Sequence, residues 1–113
     1  MVNQTKYIPD SGDIIWVDFS PVKGHEQGGY RPALVITPQY YSMRSNIALL
    51  CPITSREKGY PFEVSFKGKK SEGVVLIDQI KAIDFSVRKI KFIEKIDDES
   101  LLDIKAKLHS LID

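Results

Sequence analysis

Residues 12–38 read GDIIWVDFSPVKGHEQGGYRPALVITP and organise the chain as an apolar strand, a glycine-rich loop and a second apolar strand. The two strands are predicted at 14–19 and 33–37, where β-branched and aromatic side chains gather between Gly, Pro and Ser. Further along, short apolar runs are again separated by Gly, Pro, Ser and Asn. This spacing favours a small, mainly β domain over alternating strands and helices.

The remaining elements predict one terminal helix behind the strands. A short helical turn is expected in PQYYSMRSN at 38–46. From Asp97 onward the apolar residues recur at helical spacing, behind aspartates that can cap an amino end. Short, curved strands with one helix predict an SH3-like barrel, as a single domain over 1–113. The other strands are predicted at 47–54, 62–66, 74–80 and 89–93.

Composition is that of one soluble domain. Of the 113 residues, 42% are hydrophobic and 27% are charged, and the net charge of +1 is not that of a protein that coats duplex DNA. The opening residues MVNQTKYIPDSG lack an apolar run, and no segment approaches the ~20 apolar residues of a membrane span. A cytoplasmic protein with no membrane partner is therefore expected. The single cysteine, Cys51, lies in the apolar run IALLCPI and is interpreted as a core residue.

The loop between the first two strands carries the groups best suited to chemistry. His25, Glu26 and Arg31 supply a base, an acid and a fixed cation within a few residues, as in sites for anionic substrates that transfer protons. Arg31 precedes Pro32, which favours an extended backbone and a rigidly anchored guanidinium whose fork fits phosphate oxygens. In the empty site that guanidinium could pair with Glu26 or Asp78. Phosphodiester chemistry is the first hypothesis.

Two later segments add candidate site residues. Thr54 and Ser55 end the third predicted strand, where hydroxyls can face out of a barrel end, although threonine there is more often a β former or a local cap. Asp78 and Gln79 follow the apolar run GVVLI, so one of these polar side chains is expected to face the core or a cleft. Because a buried carboxylate is costly unless it is paired, an ion pair with Arg31 would satisfy Asp78.

These segments together resemble the MazF/PemK family of endoribonuclease toxins from bacterial toxin–antitoxin pairs. The resemblance implies an SH3-like barrel homodimer that cuts single-stranded messenger RNA at short sequences, without a metal or other cofactor. It also implies a cognate antitoxin whose acidic, flexible C-terminal segment lies across the substrate groove. The matching segments follow one another over nearly the whole chain: GDIIWVDFSP, GHEQGG, RPALVITP, PIT, KGYPFEV, GVVLIDQIKAID and the closing amphipathic helix.

The resemblance further implies roles for individual residues. Arg31 and Thr54 match the two positions most consistently tied to catalysis, and Glu26, His25 and Asp78 match positions implicated in some members. On chemical grounds, Arg31 is assigned the stabilisation of charge on the phosphoryl oxygens, with Thr54 as a hydrogen-bond donor to them. Glu26 is the preferred general base. His25, whose ordinary pKa is nearer neutrality, is the rival base or the general acid.

RNA can supply its own nucleophile, because its 2′-hydroxyl can attack the adjacent phosphorus and leave a 2′,3′-cyclic phosphate and a 5′-hydroxyl. Some relatives carry an arginine at the position of Leu76, so a proton-transfer scheme built on that arginine does not carry over to this chain. Tyr30, beside Arg31, is the best candidate for stacking on a base. The other residues expected to contact RNA or to support the site are Gln27, Ser55, Asp78 and Gln79.

Two rival functions belong to different classes. A toxin of the same barrel could bind DNA gyrase, as CcdB-like proteins do, but those chains place a tryptophan and a glycine near the carboxyl end, whereas this chain ends in HSLID and has its only tryptophan at Trp16. A noncatalytic SH3-like interaction module would use the polar loop as a partner surface. A digest of single-stranded RNA separates both from an endoribonuclease.

Overall fold

One curled antiparallel sheet and a C-terminal helix form the fold, in a computed structural model that describes residues 6–19 and 29–113. The predicted fold class, mainly β with a C-terminal helix, is confirmed. The elements in chain order are β1 Asp13–Asp18, β2 Tyr30–Val35, α1 Gln39–Ser45, β3 Ile47–Thr54, β4 Glu63–Lys67, β5 Glu72–Leu76, a 3₁₀ turn Ile77–Gln79, β6 Lys81–Asp84, β7 Ile90–Lys95 and α2 Asp98–Ile112.

Strand β3 holds the two parts of the sheet together. On one edge it pairs with β2, with Ala33 opposite Pro52, and β2 continues through β1 to β7. Its start pairs with β6, where Ile47 lies opposite Asp84, and its end pairs with β5, where Thr54 lies opposite Val74. Because one strand changes partner along its length, the sheet divides and bends at the end of β3.

Apolar side chains are buried on both faces of β1 and β2. The register partners Ile14 and Leu34 belong to a cluster that includes Ile104 of α2. The next pair, Ile15 and Ala33, belongs to a second cluster against which the N-terminal segment packs. Continuous apolar runs, rather than strict alternation, are what strands covered on both sides require.

Helix α2 closes the first of these clusters. Its N-cap is Asp97, whose carboxylate accepts a hydrogen bond from the backbone N–H of Ser100 at 2.9 Å, and Ile104 is its fully buried residue. His109 lies on the exposed side of the same helix. Of the described helices, none is both long and apolar enough to span a membrane. The helix predicted from Asp97 onward is therefore confirmed, as is the short helix α1 within 38–46.

The strand predicted at 74–80 is wrong in its second half. The chain leaves β5 after Leu76, makes a 3₁₀ turn and continues as β6. The sequence pattern did not predict β6 as a separate strand. The backbone N–H of Ile77 donates to the carbonyl of Phe62 at 2.9 Å, which continues the contact between β4 and β5 to the first residue of the turn. The physical reason is a change of register along β3. Val75 lies opposite Ile53 and Lys81 lies opposite Leu50, so the chain has more residues here than a continuous ladder needs, and the 3₁₀ turn takes up the extra length.

Cys51 is a core residue, as predicted. Its side chain is fully buried and its Sγ lies 3.8 Å from the carbonyl oxygen of Ile77. Burial, with a smaller contribution from the charge of Asp78, raises the pKa of the thiol to about 12. The thiolate is therefore not formed near neutral pH, which agrees with a packing role.

Strands β4 and β7 end the main pairing order, and Glu94 bridges the gap between them. Its carboxylate accepts hydrogen bonds from the backbone N–H groups of Lys69 and Lys70, at 3.2 and 3.0 Å, and from the hydroxyl of Ser71 at 2.5 Å. The turn between β4 and β5 is thus fastened to β7. The hydrogen bonds, that from Ser71 first, lower the pKa of the Glu94 carboxyl below its ordinary value.

This bridge predicts a pH-dependent contribution to stability. Because the folded-state pKa of Glu94 is lowered, its contribution is fully present above the unfolded pKa, near 4.3, and is lost as the pH falls through the lower folded value. We expect wild-type protein to melt at a higher temperature than Glu94→Gln at pH 7, and the difference to shrink between about pH 5 and pH 3. Thermal melts of both proteins at matched salt measure it. A difference independent of pH would contradict the assignment.

Candidate active site

A cleft of about 670 Å³ opens where β2, the end of β3 and the segment after β5 meet. It collects side chains from four separate parts of the sequence. Several of the predicted site residues are among them, and three charged side chains reach it. Its lining residues are Phe19, Arg31, Pro32, Pro52, Ile53, Thr54, Ser55, Glu72, Leu76, Gln79 and Lys81.

Arg31 and Thr54 reach this cleft from neighbouring strands. The ladder between β2 and β3 pairs Ala33 with Pro52, and continuing its register by two residues places Arg31 opposite Thr54. Residues that lie directly opposite each other on neighbouring strands share a face of the sheet. The side chains of Arg31 and Thr54 are therefore directed to the same side. The structure therefore brings the two leading candidates together.

The guanidinium of Arg31 is exposed at the mouth of the cleft. Its backbone is held in β2, where it lies opposite Val17 of β1. Within the described part of the chain, no ion pair or hydrogen bond engages its side chain. An anchored arginine with open donors is suited to an incoming anion such as a phosphate.

The hydroxyl of Thr54 is held at the end of β3. Its Oγ1 accepts a hydrogen bond from the backbone N–H of Arg56 at 3.3 Å, which leaves its own O–H as a donor. Strand β5 can approach here because residue 73 is glycine. A Cβ on Gly73 would lie 2.7 Å from Cγ2 of Ile53 and 2.8 Å from the carbonyl oxygen of Thr54. The close approach of β5 sets one wall of the cleft.

Gln79 and Asp78 separate at the 3₁₀ turn. Gln79 lines the cleft, whereas Asp78 is exposed outside it and accepts a hydrogen bond from the hydroxyl of Tyr60 at 3.0 Å. The ion pair expected between Asp78 and Arg31 is wrong. Because the turn carries Asp78 into solvent rather than into the core, its charge needs no cationic partner.

Sequence reasoning did not assign Glu72 and Lys81 to the site. Both are exposed side chains at strand starts, and both reach the cleft only because β5 and β6 meet beside β3. The Nζ atom of Lys81 lies 4.9 Å from the ring centroid of Phe19, which also lines the cleft. Two signals were available in the sequence, since Lys81 belongs to a group of basic residues with Arg88, Lys89 and Lys91, and Glu72 ends a charged segment at 65–72.

Tyr30 is half exposed and lies next to Arg31 in β2, but it does not line the cleft. It lines a different hollow, together with Lys89 and Lys91. Consecutive residues of a strand point to opposite faces, which accounts for the separation. Stacking of a base on Tyr30 stays a prediction, and such a base would lie on the face of β2 opposite the cleft.

Three candidates lie outside the described residues. His25, Glu26 and Gln27 fall within 20–28, so their proposed roles as general base, general acid or RNA contact stay predictions. The flanking residues Phe19 and Gly29 are joined by a backbone hydrogen bond of 3.1 Å from the N–H of Phe19 to the carbonyl of Gly29. Phe19, the last described residue before this segment, also lines the cleft.

Known proteins are similar to this chain in sequence and in fold. The chain is 45% identical over 108 residues to the endoribonuclease toxin MazF of Escherichia coli strain K12, covering 96% of this chain and 97% of the relative. The crystal structure of MazF (Form-I) from Deinococcus radiodurans matches with a TM-score of 0.82 at 41% identity, over 95% of this chain and 98% of that one. MazE-MazF (Form-II) from the same organism matches with a TM-score of 0.83 at 36% identity, over 95% and 97%.

A family model agrees with these likenesses. The model described as PemK-like, MazF-like toxin of type II toxin-antitoxin system matches residues 10–112, nearly the whole chain. The match includes both strands that carry Arg31 and Thr54 and the terminal helix. The chain therefore belongs to the PemK-like, MazF-like toxin family of type II toxin–antitoxin systems.

Proposed function

We propose that this chain, an endoribonuclease toxin of its family, cleaves single-stranded RNA at short sequences, without a metal, in the cytoplasm. The observation that carries the proposal is the cleft shared by Arg31 and Thr54. There an anchored guanidinium and a hydroxyl donor reach one space of about 670 Å³ from neighbouring strands. Lys81 adds a second cation to the same space. Two cations and a neutral donor suit a phosphodiester, and an open cleft suits a single strand whose bases are accessible.

In the proposed reaction the RNA supplies the nucleophile. The 2′-oxygen forms a bond to the adjacent phosphorus, the bond from phosphorus to the 5′-oxygen breaks, and a 2′,3′-cyclic phosphate and a 5′-hydroxyl remain. The 2′ proton passes to a general base, for which Glu26 is preferred and His25 is the rival. The leaving 5′-oxygen receives a proton from the general acid, for which His25 is the candidate when Glu26 is the base.

Arg31 and Thr54 act on charge rather than on protons. Negative charge builds on the nonbridging phosphoryl oxygens as the 2′-oxygen adds, and donors already in place stabilise it without reorganising. The guanidinium can donate to two oxygens at once, and the Thr54 hydroxyl can donate to one. Arg31 is a poor formal acid, because a guanidinium stays protonated at every working pH. Leu76 lines the same cleft and offers no proton, so the proton transfers depend on other residues.

The proposed partners follow from the family and from the cleft. Solved neighbours of this fold include MazE-MazF structures, which supports a cognate antitoxin for this chain. We propose that the antitoxin places an acidic, flexible C-terminal segment over the cleft, where its carboxylates meet Arg31 and Lys81 in place of phosphates. We also propose a homodimer, in line with the modest core that 113 residues can bury.

An RNA digest tests the proposed function. Purified protein, a defined single-stranded transcript and EDTA are expected to give discrete fragments with 2′,3′-cyclic phosphate and 5′-hydroxyl ends. The matched control is the same transcript with a 2′-deoxynucleotide at a mapped cut, which should block that cut alone. Equal cleavage at the deoxy position would overturn the 2′-hydroxyl mechanism. An intact transcript would instead favour the gyrase-binding toxin or the interaction module, and growth arrest on expression would separate those two.

A further inference from the structure

The cleft that holds Arg31 and Thr54 does not end at Thr54. A second hollow of about 350 Å³ adjoins it, and the two share Ser55 and Glu72 as lining residues. The two hollows therefore form one groove that runs from β2 past the end of β3 and along β5. The further part, called the groove extension below, is lined by Ser55, Glu57, Phe66, Lys67, Glu72, Gly73 and Val74.

The two parts of the groove differ in charge. The cleft is lined by Arg31 and Lys81 against the single carboxylate of Glu72. The groove extension is lined by Glu57 and Glu72 against the single ammonium of Lys67. An anionic wall repels phosphates, so the groove extension is not suited to the RNA backbone. A carboxylate is, however, an acceptor for the amino groups of bases.

The groove extension offers polar groups rather than an apolar floor. Phe66 and Val74 border it but are only 7% and 4% exposed, and they lie on opposite faces of the β4–β5 pair, because Phe66 is opposite Gly73 and Val74 is opposite Ser65. A base that leaves its stack in single-stranded RNA can be recognised by hydrogen bonds to its edge, for which Ser55, Glu57 and Glu72 supply oxygen acceptors.

The loop that carries Glu57 is fixed by hydrogen bonds within the protein itself. The carboxylate of Glu63 accepts hydrogen bonds from the backbone N–H groups of Lys58, at 3.1 Å, and Gly59, at 3.0 Å. Gly59 has a φ of 82°, a left-handed conformation that glycine adopts without strain. The loop after β3 is thereby fixed directly behind Glu57.

We propose that the groove extension binds a base next to the cut and that Glu72 determines specificity there, by accepting a hydrogen bond from the exocyclic amino group of that base. Adenine, cytosine and guanine carry such a group, and uracil does not. Because Glu72 borders both parts of the groove, the recognised nucleotide is a near neighbour of the scissile phosphate at Arg31. This inference rests on the proposed function and adds the chemical class of the base that the enzyme selects.

Cut-site mapping of Glu72→Ala, which removes the hydrogen-bond acceptor, tests the proposal. Wild type and variant digest the same long transcript, and the ends are mapped by sequencing at low conversion. We expect the wild type to prefer an amino-bearing base over uracil at one position near the cut, and the variant to lose about tenfold of that preference at that position only. Glu99→Ala, which removes an exposed carboxylate of α2 that lines neither part of the groove, is the matched control and should keep the wild-type profile. Thermal melts check that each variant is folded.

Lys81→Met provides a contrast within the same groove. As a proposed phosphate contact it should weaken binding of single-stranded RNA at every sequence and make the dependence of log affinity on log salt shallower by about 0.7, without changing the profile. An unchanged profile for folded Glu72→Ala, in an assay where the wild type cuts, would overturn the base-binding role and leave the proposed function standing. A wild type that cuts no RNA would overturn both.

Discussion

Arg31→Ala is expected to lower the rate of RNA cleavage by at least about 100-fold, the usual loss when one preorganised charge stabiliser is removed. The stability of the protein should hardly change, because the side chain is exposed and, in the described part of the chain, has no partner to lose. Single-turnover rates on a defined oligonucleotide measure the chemical step, and thermal melts measure folding. Near-normal cleavage by the variant would remove the main support for the mechanism.

Two further variants make the result for Arg31 specific. Arg31→Lys keeps the charge but loses the two-pronged donor geometry, so it should recover only part of the rate. Arg44→Ala removes an exposed arginine of α1 that does not line the cleft, and it should cleave as the wild type does. A rate that fell equally in Arg44→Ala and Arg31→Ala would point to overall charge rather than to a contact with the scissile phosphate.

Ile104→Ala is expected to have the largest effect on stability, a loss of about 2 to 5 kcal/mol in the free energy of unfolding. Ile104 is the fully buried residue of α2 and belongs to the same cluster as Ile14 and Leu34 of the sheet, so truncating it leaves a cavity between helix and sheet. Urea denaturation at one fixed protein concentration measures the loss, since any self-association would add to the apparent stability.

The matched control lies on the same helix. Leu102 is 70% exposed, so Leu102→Ala removes the same class of side chain without opening a cavity and should change the free energy of unfolding by less than about 0.5 kcal/mol. Equal losses at the two positions would show that α2 is not docked as the structure has it. With its stability lowered, the Ile104→Ala protein should also lose RNA cleavage on warming. Strand β3 carries Thr54, and its Cys51 belongs to the same apolar cluster as Ile104.

The position of the cleft follows from how β3 is paired. Its first four residues pair with β6 and its last two with β5, and the chain must turn at Ile77–Gln79 to pass between those strands. Where two neighbours of one strand diverge, the sheet cannot be continuous and a groove opens. That groove receives Gln79 and Lys81 from the crossing segment, and Arg31 and Thr54 from the β2 and β3 strands. The same divergence that bends the sheet therefore assembles the proposed site.

Local sequence patterns determined most of the elements and identified Arg31 as a site residue. The apolar runs predicted β3 at its observed bounds, the changed period predicted α2, and Asp97 caps that helix as expected, because periodicity and capping depend on residues close in sequence. The motif around Arg31 and Pro32 identified the guanidinium that the structure places beside Thr54.

Only the tertiary structure decided which distant residues share the groove. It ended β5 at Leu76, carried Asp78 away from Arg31 and brought Glu72 and Lys81 to the cleft and its extension. These outcomes depend on which strands pair with β3 and where the chain turns between them. Strand pairing joins segments far apart in sequence, and an apolar run has the same pattern whichever neighbour it meets.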